Sequence, residues 1–371
     1  MNRPRVLMVS HTRYRLPLDP SLERKFAALR KCLNVHVLAA AADESSAGER
    51  DGFTLVPPHR LRRLDGALFY LRLPFRVART LRRNRPDAVL TQSPYEAAAI
   101  VIGRAVARTP AKLVVEVHGD WRTATRLYGS RLRRALSPLA DAVAELGLRR
   151  AERVRTLSPF TTGLVRSVGV EPTAEFPAFV DLETFLAGDP APLPLRPSFL
   201  FVGVLERYKF VDGLVEAWRH VAAEVPEATL RIVGDGSAQA TVKELVAELP
   251  GQTRWDPRLM PAEVRRALDE ATALVLPSRS EGLPRIAIEA LLRGRPVIGA
   301  RAGGIPDVVE HDVDGILFEP ESAVALGDAM LRIARDPVLV GRLARATQAA
   351  AERWQLGPDE FAERLRALVA G

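Results

Sequence analysis

Two carboxylates bracket one turn in the stretch Ser280-Glu281-Gly282-Leu283-Pro284-Arg285-Ile286-Ala287-Ile288-Glu289. Glu281 falls in a loop. Glu289 falls two turns into a helix expected over residues 284–292, with Pro284 near its start. The apolar run Ala273-Leu274-Val275-Leu276 ahead of it reads as a buried parallel strand. Carboxylates so placed can accept hydrogen bonds from hydroxyl groups. The N–H groups of Gly282 and Leu283, left unpaired at a helix start, attract an anion.

Three further loops follow expected strands in the same half. Gly203-Val204-Leu205-Glu206-Arg207-Tyr208-Lys209 carries two cations behind a glycine that lets the backbone turn closely. Arg207 offers a fork for phosphate oxygens and Lys209 a point charge. Gly234-Asp235-Gly236 makes a tight turn that a flat base or ribose could approach, although such a triplet is as often an ordinary turn. Arg301-Ala302-Gly303-Gly304-Ile305-Pro306-Asp307 adds flexible backbone beside them. Any one of these features arises easily by chance, whereas four strand-end loops loaded along one sheet point jointly to an anionic, hydroxyl-rich ligand. In the first half, His118-Gly119-Asp120 closes another expected strand. A lone histidine is more often structural than catalytic, and its place at a strand end is what marks it out.

The elements that must hold these loops alternate strand with helix. Strands are expected at residues 5–10, 35–40, 88–90, 113–117 and 154–157, with helices between them over 22–32, 69–83, 97–107 and 132–151. The loop over residues 43–52 is rich in Asp, Ser and Gly. Residues 176–197 are rich in proline and lack helical period, which reads as a linker. A second alternation follows, with strands over 199–202, 230–233, 273–276 and 296–298. Closing helices are expected over 323–335, 337–352 and 358–369. The domains expected are therefore 1–175 and 198–355, joined by 176–197. Such alternation makes doubly wound parallel sheets, so the fold class is α/β with two Rossmann-like domains.

A length of 371 residues, with 47% apolar and 26% charged side chains, suits a globular protein of two domains. The single cysteine, Cys32, rules out an internal disulfide and fits a reducing compartment, hence a cytoplasmic location. No run of 18 uncharged apolar residues occurs, and the apolar run near Met1 is too short for a signal sequence. The net charge of +8 hides an asymmetry. Residues 1–175 hold 31 Lys and Arg against 16 Asp and Glu, a net of +15, and the remainder has a net of −7. No nucleic-acid recognition motif accompanies the basic half. Nine arginines lie within residues 59–85 against one acid, Asp65, interleaved with Phe69, Tyr70, Leu73 and Phe75. A basic amphipathic helix of that kind reads as a peripheral element on an anionic inner membrane face, with a solvated arginine-rich surface as the plain alternative. A second basic stretch, residues 122–134, carries five arginines and no acid.

With Glu281, Gly282, Pro284 and Glu289 spaced as E-G-x-P and Glu-x7-Glu, followed by Gly303-Gly304-Ile305-Pro306-Asp307 and Asp314-Gly315-Ile316-Leu317, the second half resembles the retaining glycosyltransferases of the GT-B fold, family four. The motifs concentrate in residues 199–317, and the resemblance runs over roughly the whole chain. It implies two Rossmann-like domains facing across a cleft and a last helix, residues 356–371, crossing back to the first domain, with Trp354 marking the crossing. It implies a nucleotide-diphosphate sugar as donor substrate and a hydroxyl acceptor, lipid-linked or saccharide. At matching positions Glu289 would bind the ribose, Glu281 a hydroxyl of the donor sugar, and the Gly282 and Leu283 amides the phosphate or sugar. Lys209 would bind the diphosphate. His118 would line the reaction centre, Asp120 would contact the acceptor, and Ser158 would lie near the cleft.

The sequence departs from the family in three places. Val204 stands where the family has arginine, which leaves Arg207 as a substitute, and Phe210 stands where glycine is common. The loop after the first strand lacks the usual glycine pair and carries Arg13 and Arg15, which suggests an anionic acceptor. Retention, by front-face attack, also follows from the resemblance. Neither metal nor other cofactor is expected. No His, Cys or Asp cluster has metal-ligand spacing, and Asp312-Val313-Asp314 reads as a turn before Gly315. Two other readings stay open. A nucleotide-sugar epimerase of the same shape would turn over donor without acceptor. A non-catalytic sugar-nucleotide-binding partner is made thinkable by Val204 and the missing glycine loop, and unchanged transfer by Glu281→Ala would contradict the role given to Glu281.

Overall fold

The computed structural model describes residues 3–59, 62–123 and 136–371. They form two compact units. One holds the chain up to Phe179 together with Leu356–Gly371, and the other is Val180–Gln355.

The first unit is built on β1 (Arg5–Tyr14), β2 (Asn34–Ala41), β3 (Gly48–Arg50), β4 (Phe53–Val56), β5 (Ala88–Thr91), β6 (Lys112–Val117), β7 (Arg153–Thr156) and β8 (Ala174–Glu175). Their order in the sheet is β3-β4-β2-β1-β5-β6-β7-β8, and only the β3–β4 pair is antiparallel. The inner strands are apolar runs because helices cover both faces. β1 continues past its expected end at Ser10 through a register shift between Val9 and Arg13, which carries His11 and Arg13 into the strand. β3 lies inside the expected loop. It is a three-residue exposed edge with no apolar period to betray it.

The helix expected over 69–83 spans Arg62–Asn84 and carries Pro74 within it. Phe69, Leu73, Val77 and Leu81, each four residues on, form its buried stripe. Of the apolar residues interleaved with its arginines, Phe69 and Leu73 belong to the core, while Leu71 and Phe75 are each 70% exposed. Most of the second basic stretch lies outside the described residues, as does the start of the helix expected over 132–151, which is described over Ser137–Arg149. The last helix, Pro358–Ala370, belongs to this first unit. Its Phe361, Leu365 and Leu368 join the cluster of Phe26, Leu29 and Phe53.

The second unit is built on β9 (Ser198–Val202), β10 (Thr229–Val233), β11 (Thr253–Asp256), β12 (Ala273–Leu276), β13 (Val297–Ala300) and β14 (Gly315–Phe318). The order is β11-β10-β9-β12-β13-β14, parallel throughout. The two strands not expected from the sequence, β11 and β14, are its edges. Residues 180–197 do not run free. Arg293, 1% exposed, donates to the carbonyls of Phe185 (3.1 Å), Gly188 (2.9 Å) and Asp189 (2.7 Å), and Arg295 reaches those of Ala191 and Pro192. Two buried arginines thus fasten the proline-rich segment to the second unit, which is why it needs no helix of its own length.

Candidate functional site

The second sheet reverses direction between β9 and β12. These strands are neighbours, but β9 leads to β10 on one side and β12 to β13 on the other. Loops that leave such a pair diverge and open a crevice at the strand ends. The loop after β9 brings Lys209 there, and the loop after β12 brings Glu281. Lys209 Nζ lies 2.5 Å from Glu281 Oε1. The two side chains are only 10% and 14% exposed, so the pair is shielded from the screening that weakens surface ion pairs. An ammonium has three N–H bonds, and Glu281 occupies one.

Two residues that no motif announced hold this geometry. Arg279 ties the loop after β12 to the loop after β9. Its backbone N–H donates to Tyr208 O at 2.7 Å, its guanidinium donates to Arg207 O, and the same group lies 4.6 Å from the centre of the Phe210 ring. Glu206 accepts from the Ser237 N–H (3.1 Å) and hydroxyl (2.8 Å), joining the loops after β9 and β10. Only their positions just beyond strand ends could have flagged them. Phe210 has a left-handed backbone (φ 54), which explains why glycine suits its position. Its ring occupies the space that a side chain at Gly213 would need, at 2.1 Å.

The glycine pair after β13 serves close packing. The Gly304 N–H donates to Glu281 O at 2.9 Å. A Cβ at Gly304 would stand 2.0 Å from Gly282 O, and one at Gly303, where φ is +57, 2.4 Å from Glu281 O. Gly304→Ala is therefore expected to destabilise the protein by about 1–3 kcal/mol, as overpacking does, and to displace Glu281 from Lys209. Urea unfolding of the variant checks the first effect. A midpoint equal to that of the parent would contradict the packing argument.

Around this pair stand the other residues singled out above. Gly203 follows β9, with its N–H donating to Val233 O at 2.9 Å. Arg207 is exposed, and its side chain has no partner among the described residues. Val204 is 47% exposed. Asp235 is exposed and closes its own turn, accepting from the Gly236 N–H at 2.8 Å. Gly282 and Leu283 are half-buried between Glu281 and the helix Arg285–Leu292.

Glu289, on that helix, is 9% exposed, and its carboxyl accepts no hydrogen bond from a described residue. Burial pushes its carboxyl up to about 7, against a smaller opposing pull from Arg285. The folded state therefore holds this proton more tightly than the unfolded chain, whose value is near 4.5. Stability must fall as pH rises from about 4.5 to about 7, by roughly 3 kcal/mol in all, and then level off. Glu289→Gln should remove that component of the pH dependence and be the more stable protein at pH 8. Parallel denaturation curves of parent and variant across this range would contradict it.

Asp312 and Asp314 face different partners. Asp312 has a left-handed backbone and pairs with Arg332 at 2.8 Å, while Asp314, 1% exposed, accepts from the Glu310 N–H at 2.9 Å. They close a turn before β14. Among the described residues no group of three or more His, Cys, Asp and Glu side chains could hold a metal ion.

The other singled-out residues belong to the first unit. His118 follows β6, with Nε2 3.7 Å from Glu116 Oε2, too long for a hydrogen bond. Burial holds His118 below its ordinary value, with Glu116 opposing. Although burial works to raise the Glu116 carboxyl, Arg155 beside it holds it far below the usual range. Asp120 accepts from the Arg122 N–H at 2.9 Å. Ser158 is buried after β7. Arg13 pairs with Asp65, and Arg15 with Asp43 at 3.1 Å. Both cations thus already have partners.

Comparison with known proteins agrees across the chain. Residues 193–354 match the family described as glycosyl transferases group 1, and residues 20–175 match the glycosyl transferase 4-like domain. The chain is 31% identical over 205 residues to the D-inositol 3-phosphate glycosyltransferase of Xylanimonas cellulosilytica, covering 50% of this chain and 48% of that one. The chain spans about half the length of that relative. Among solved structures, the sucrose-phosphate synthase of Thermosynechococcus elongatus matches with a TM-score of 0.78 at 19% identity, over 100% of this chain and 98% of that one. Anabaena HepE in complex with UDP-glucose matches with a TM-score of 0.69 at 18% identity, over 98% and 100%. The fold is GT-B.

Proposed function

We propose that this chain, which belongs to the group 1 glycosyl transferases, moves a sugar from a nucleotide-diphosphate donor to a hydroxyl acceptor with retention. The observation that carries the reading is the shielded Lys209–Glu281 pair at the reversal of the second sheet, with the unpartnered Glu289 carboxylate on the helix that follows. A ribose hydroxyl pair would give Glu289 the hydrogen bonds that it lacks, and would favour its ionised form. The binding of UDP-glucose by HepE, a protein of the same fold, makes uridine the first base to test.

Glycosyl transfer develops positive charge on the sugar and negative charge on the departing diphosphate. Lys209, held by Glu281, has two N–H bonds left for phosphate oxygens. The exposed Arg207 takes the place of the arginine absent at Val204, and the Gly282 and Leu283 amides complete the anion's partners. Fixed donors of this kind act without a metal or other cofactor. The free Glu281 oxygen accepts from a sugar hydroxyl, and Asp235 with Gly236 borders the base or ribose. The departing phosphate takes the acceptor's proton in front-face attack. We assign acceptor handling to the first unit, with His118 beside the reacting carbon and Asp120, Arg13 and Arg15 toward the acceptor.

Residues 1–175 handle the acceptor and residues 198–355 the donor. We further place the protein in the cytoplasm, peripheral on an anionic membrane face. Exposed Leu71 and Phe75, with arginines on the same helix, support that placement. No helix among the described residues is long and apolar enough to cross a membrane. A thermal-shift screen of nucleotide sugars tests the donor reading, since a bound donor raises the melting temperature. Stabilisation by at least one sugar nucleotide is expected, and none by any of them would refute it. Donor turnover without acceptor would favour the epimerase.

A further inference from the structure

We propose a second anion site within the first unit, in which Arg72 and Arg76 grip a phosphate group carried by the acceptor. The inference rests on the reading that this unit handles the acceptor. It starts from a cavity of about 330 Å³ walled by His11, Val56, Pro57, Phe69, Arg72 and Arg76. The cavity lies at the carboxyl ends of β1, β2 and β4, the edge at which open α/β sheets bind ligands.

Charge is the reason to expect an anion there. Arg72 and Arg76 are four residues apart on one helix, so their guanidinium groups are neighbours and repel. Burial, and then the charge of Arg72, hold Arg76 below its ordinary value. Neither guanidinium has a hydrogen bond or ion pair among the described residues. Asp65 is the only carboxylate among the described residues of the cavity wall, and each of its oxygens has a partner. Oδ1 accepts from the His59 N–H at 2.8 Å, and Oδ2 pairs with Arg13. Two like charges, one exposed and one half-buried, thus share a wall whose described carboxylate already has other partners.

The rest of the cavity is fixed in advance. The buried Glu96 carboxylate accepts from the His11 N–H (2.8 Å), the Thr91 hydroxyl (3.1 Å) and the Tyr70 hydroxyl (3.3 Å). The His11 ring lies 4.7 Å from Phe69 and 5.5 Å from Tyr70, and its Nε2 has no hydrogen-bond partner. Apolar walls keep the local dielectric low and strengthen a charge-assisted contact. Paired guanidinium forks suit the oxygens of a phosphate ester. The volume admits a phosphate with a small polyol attached. A soluble phosphate ester and a phospholipid headgroup present the same chemistry here.

The test is calorimetric titration of the full chain with glycerol 3-phosphate, and sedimentation with vesicles of phosphatidylglycerol in phosphatidylcholine. Saturable binding of one of the two probes is expected. Arg76→Gln and Arg72→Gln should each weaken it about tenfold or more, the loss of one charge-assisted contact, while UDP titrates as in the parent. Arg72 is exposed, so its variant keeps the test sound if Arg76→Gln folds poorly. Binding of the soluble ester identifies a soluble acceptor, and binding of vesicles alone identifies a lipid headgroup. Binding of neither probe, or equal affinity in parent and both variants, would overturn the site. Failure of UDP to bind alongside arginine-dependent phosphate binding would sink the donor reading and leave this site standing.

Discussion

Lys209→Ala is expected to lower glycosyl transfer by roughly 100- to 1000-fold, the loss produced when one fixed donor to a developing anion is removed. The effect is large because Lys209 is pre-placed. Glu281 holds its ammonium at 2.5 Å in a crevice where each side chain is less than 15% exposed. No reorganisation is then needed as the diphosphate departs. Removal also leaves the shielded Glu281 without its cation, at a cost in stability of about 1–3 kcal/mol. Lys209→Arg should recover part of the rate, since it restores the charge with a different reach. Steady-state rates with the donor found in the screen decide the matter. A Lys209→Ala enzyme within threefold of the parent would remove Lys209 from the mechanism.

The second large effect concerns stability. Arg155→Met should destabilise the protein by about 3–5 kcal/mol, because it strands the Glu116 carboxylate in the core. Arg155 is fully buried and Glu116 is 2% exposed. The same guanidinium donates to the carbonyls of Phe176 (3.0 Å) and Pro177 (2.6 Å). It also stacks 4.0 Å from the Phe176 ring and 5.3 Å from Phe361 on the last helix. One residue thus joins β6, β7, the segment after β8 and the last helix. Adding Glu116→Gln to Arg155→Met should restore part of the loss, since the stranded charge goes while the broken carbonyl contacts remain. Urea unfolding of the two variants checks this. A double variant no more stable than the single would mean that the stranded charge is not the cause.

Much of this architecture was legible in the residues. The inner strands are apolar runs between helices, and a run such as Ala273-Leu274-Val275-Leu276 has few other ways to be buried. The edges were not legible. β3 is three exposed residues and β11 is Thr-Arg-Trp-Asp, so neither alternates or clusters apolar side chains, while the Ile316-Leu317-Phe318 run of β14 is only three residues long and follows directly on the Asp314-Gly315 turn. The basic helix showed its period, but the sequence alone did not reveal which apolar residues face inward. Phe69 and Leu73 turned to the core, and Phe75 turned outward.

The candidate site divides in the same way. Glu281, Glu289, Lys209 and the glycines could be named from type and spacing. That Lys209 meets Glu281, 72 residues away, follows from the order of strands, which no local pattern encodes. Arg279 and Glu206 were invisible because their work is to bind backbone and neighbouring loops. The glycine pair at 303 and 304 was readable as flexible backbone, whereas its packing against Glu281 and Gly282 is a tertiary fact. Arg72 and Arg76 were readable as charge, and only the cavity beside them gives that charge an address.

On this proposal the second unit binds a nucleotide-diphosphate sugar through Lys209 and the carboxylates beside it. Calorimetric titration of the parent, Lys209→Ala and Glu289→Gln proteins with uridine, guanosine and adenosine diphosphates tests it most directly. One diphosphate should bind the parent saturably. Lys209→Ala should weaken it about tenfold or more through the lost phosphate contact, and Glu289→Gln similarly through the lost ribose contact. A parent that binds none of the three, or variants that bind as tightly as the parent, would contradict the account.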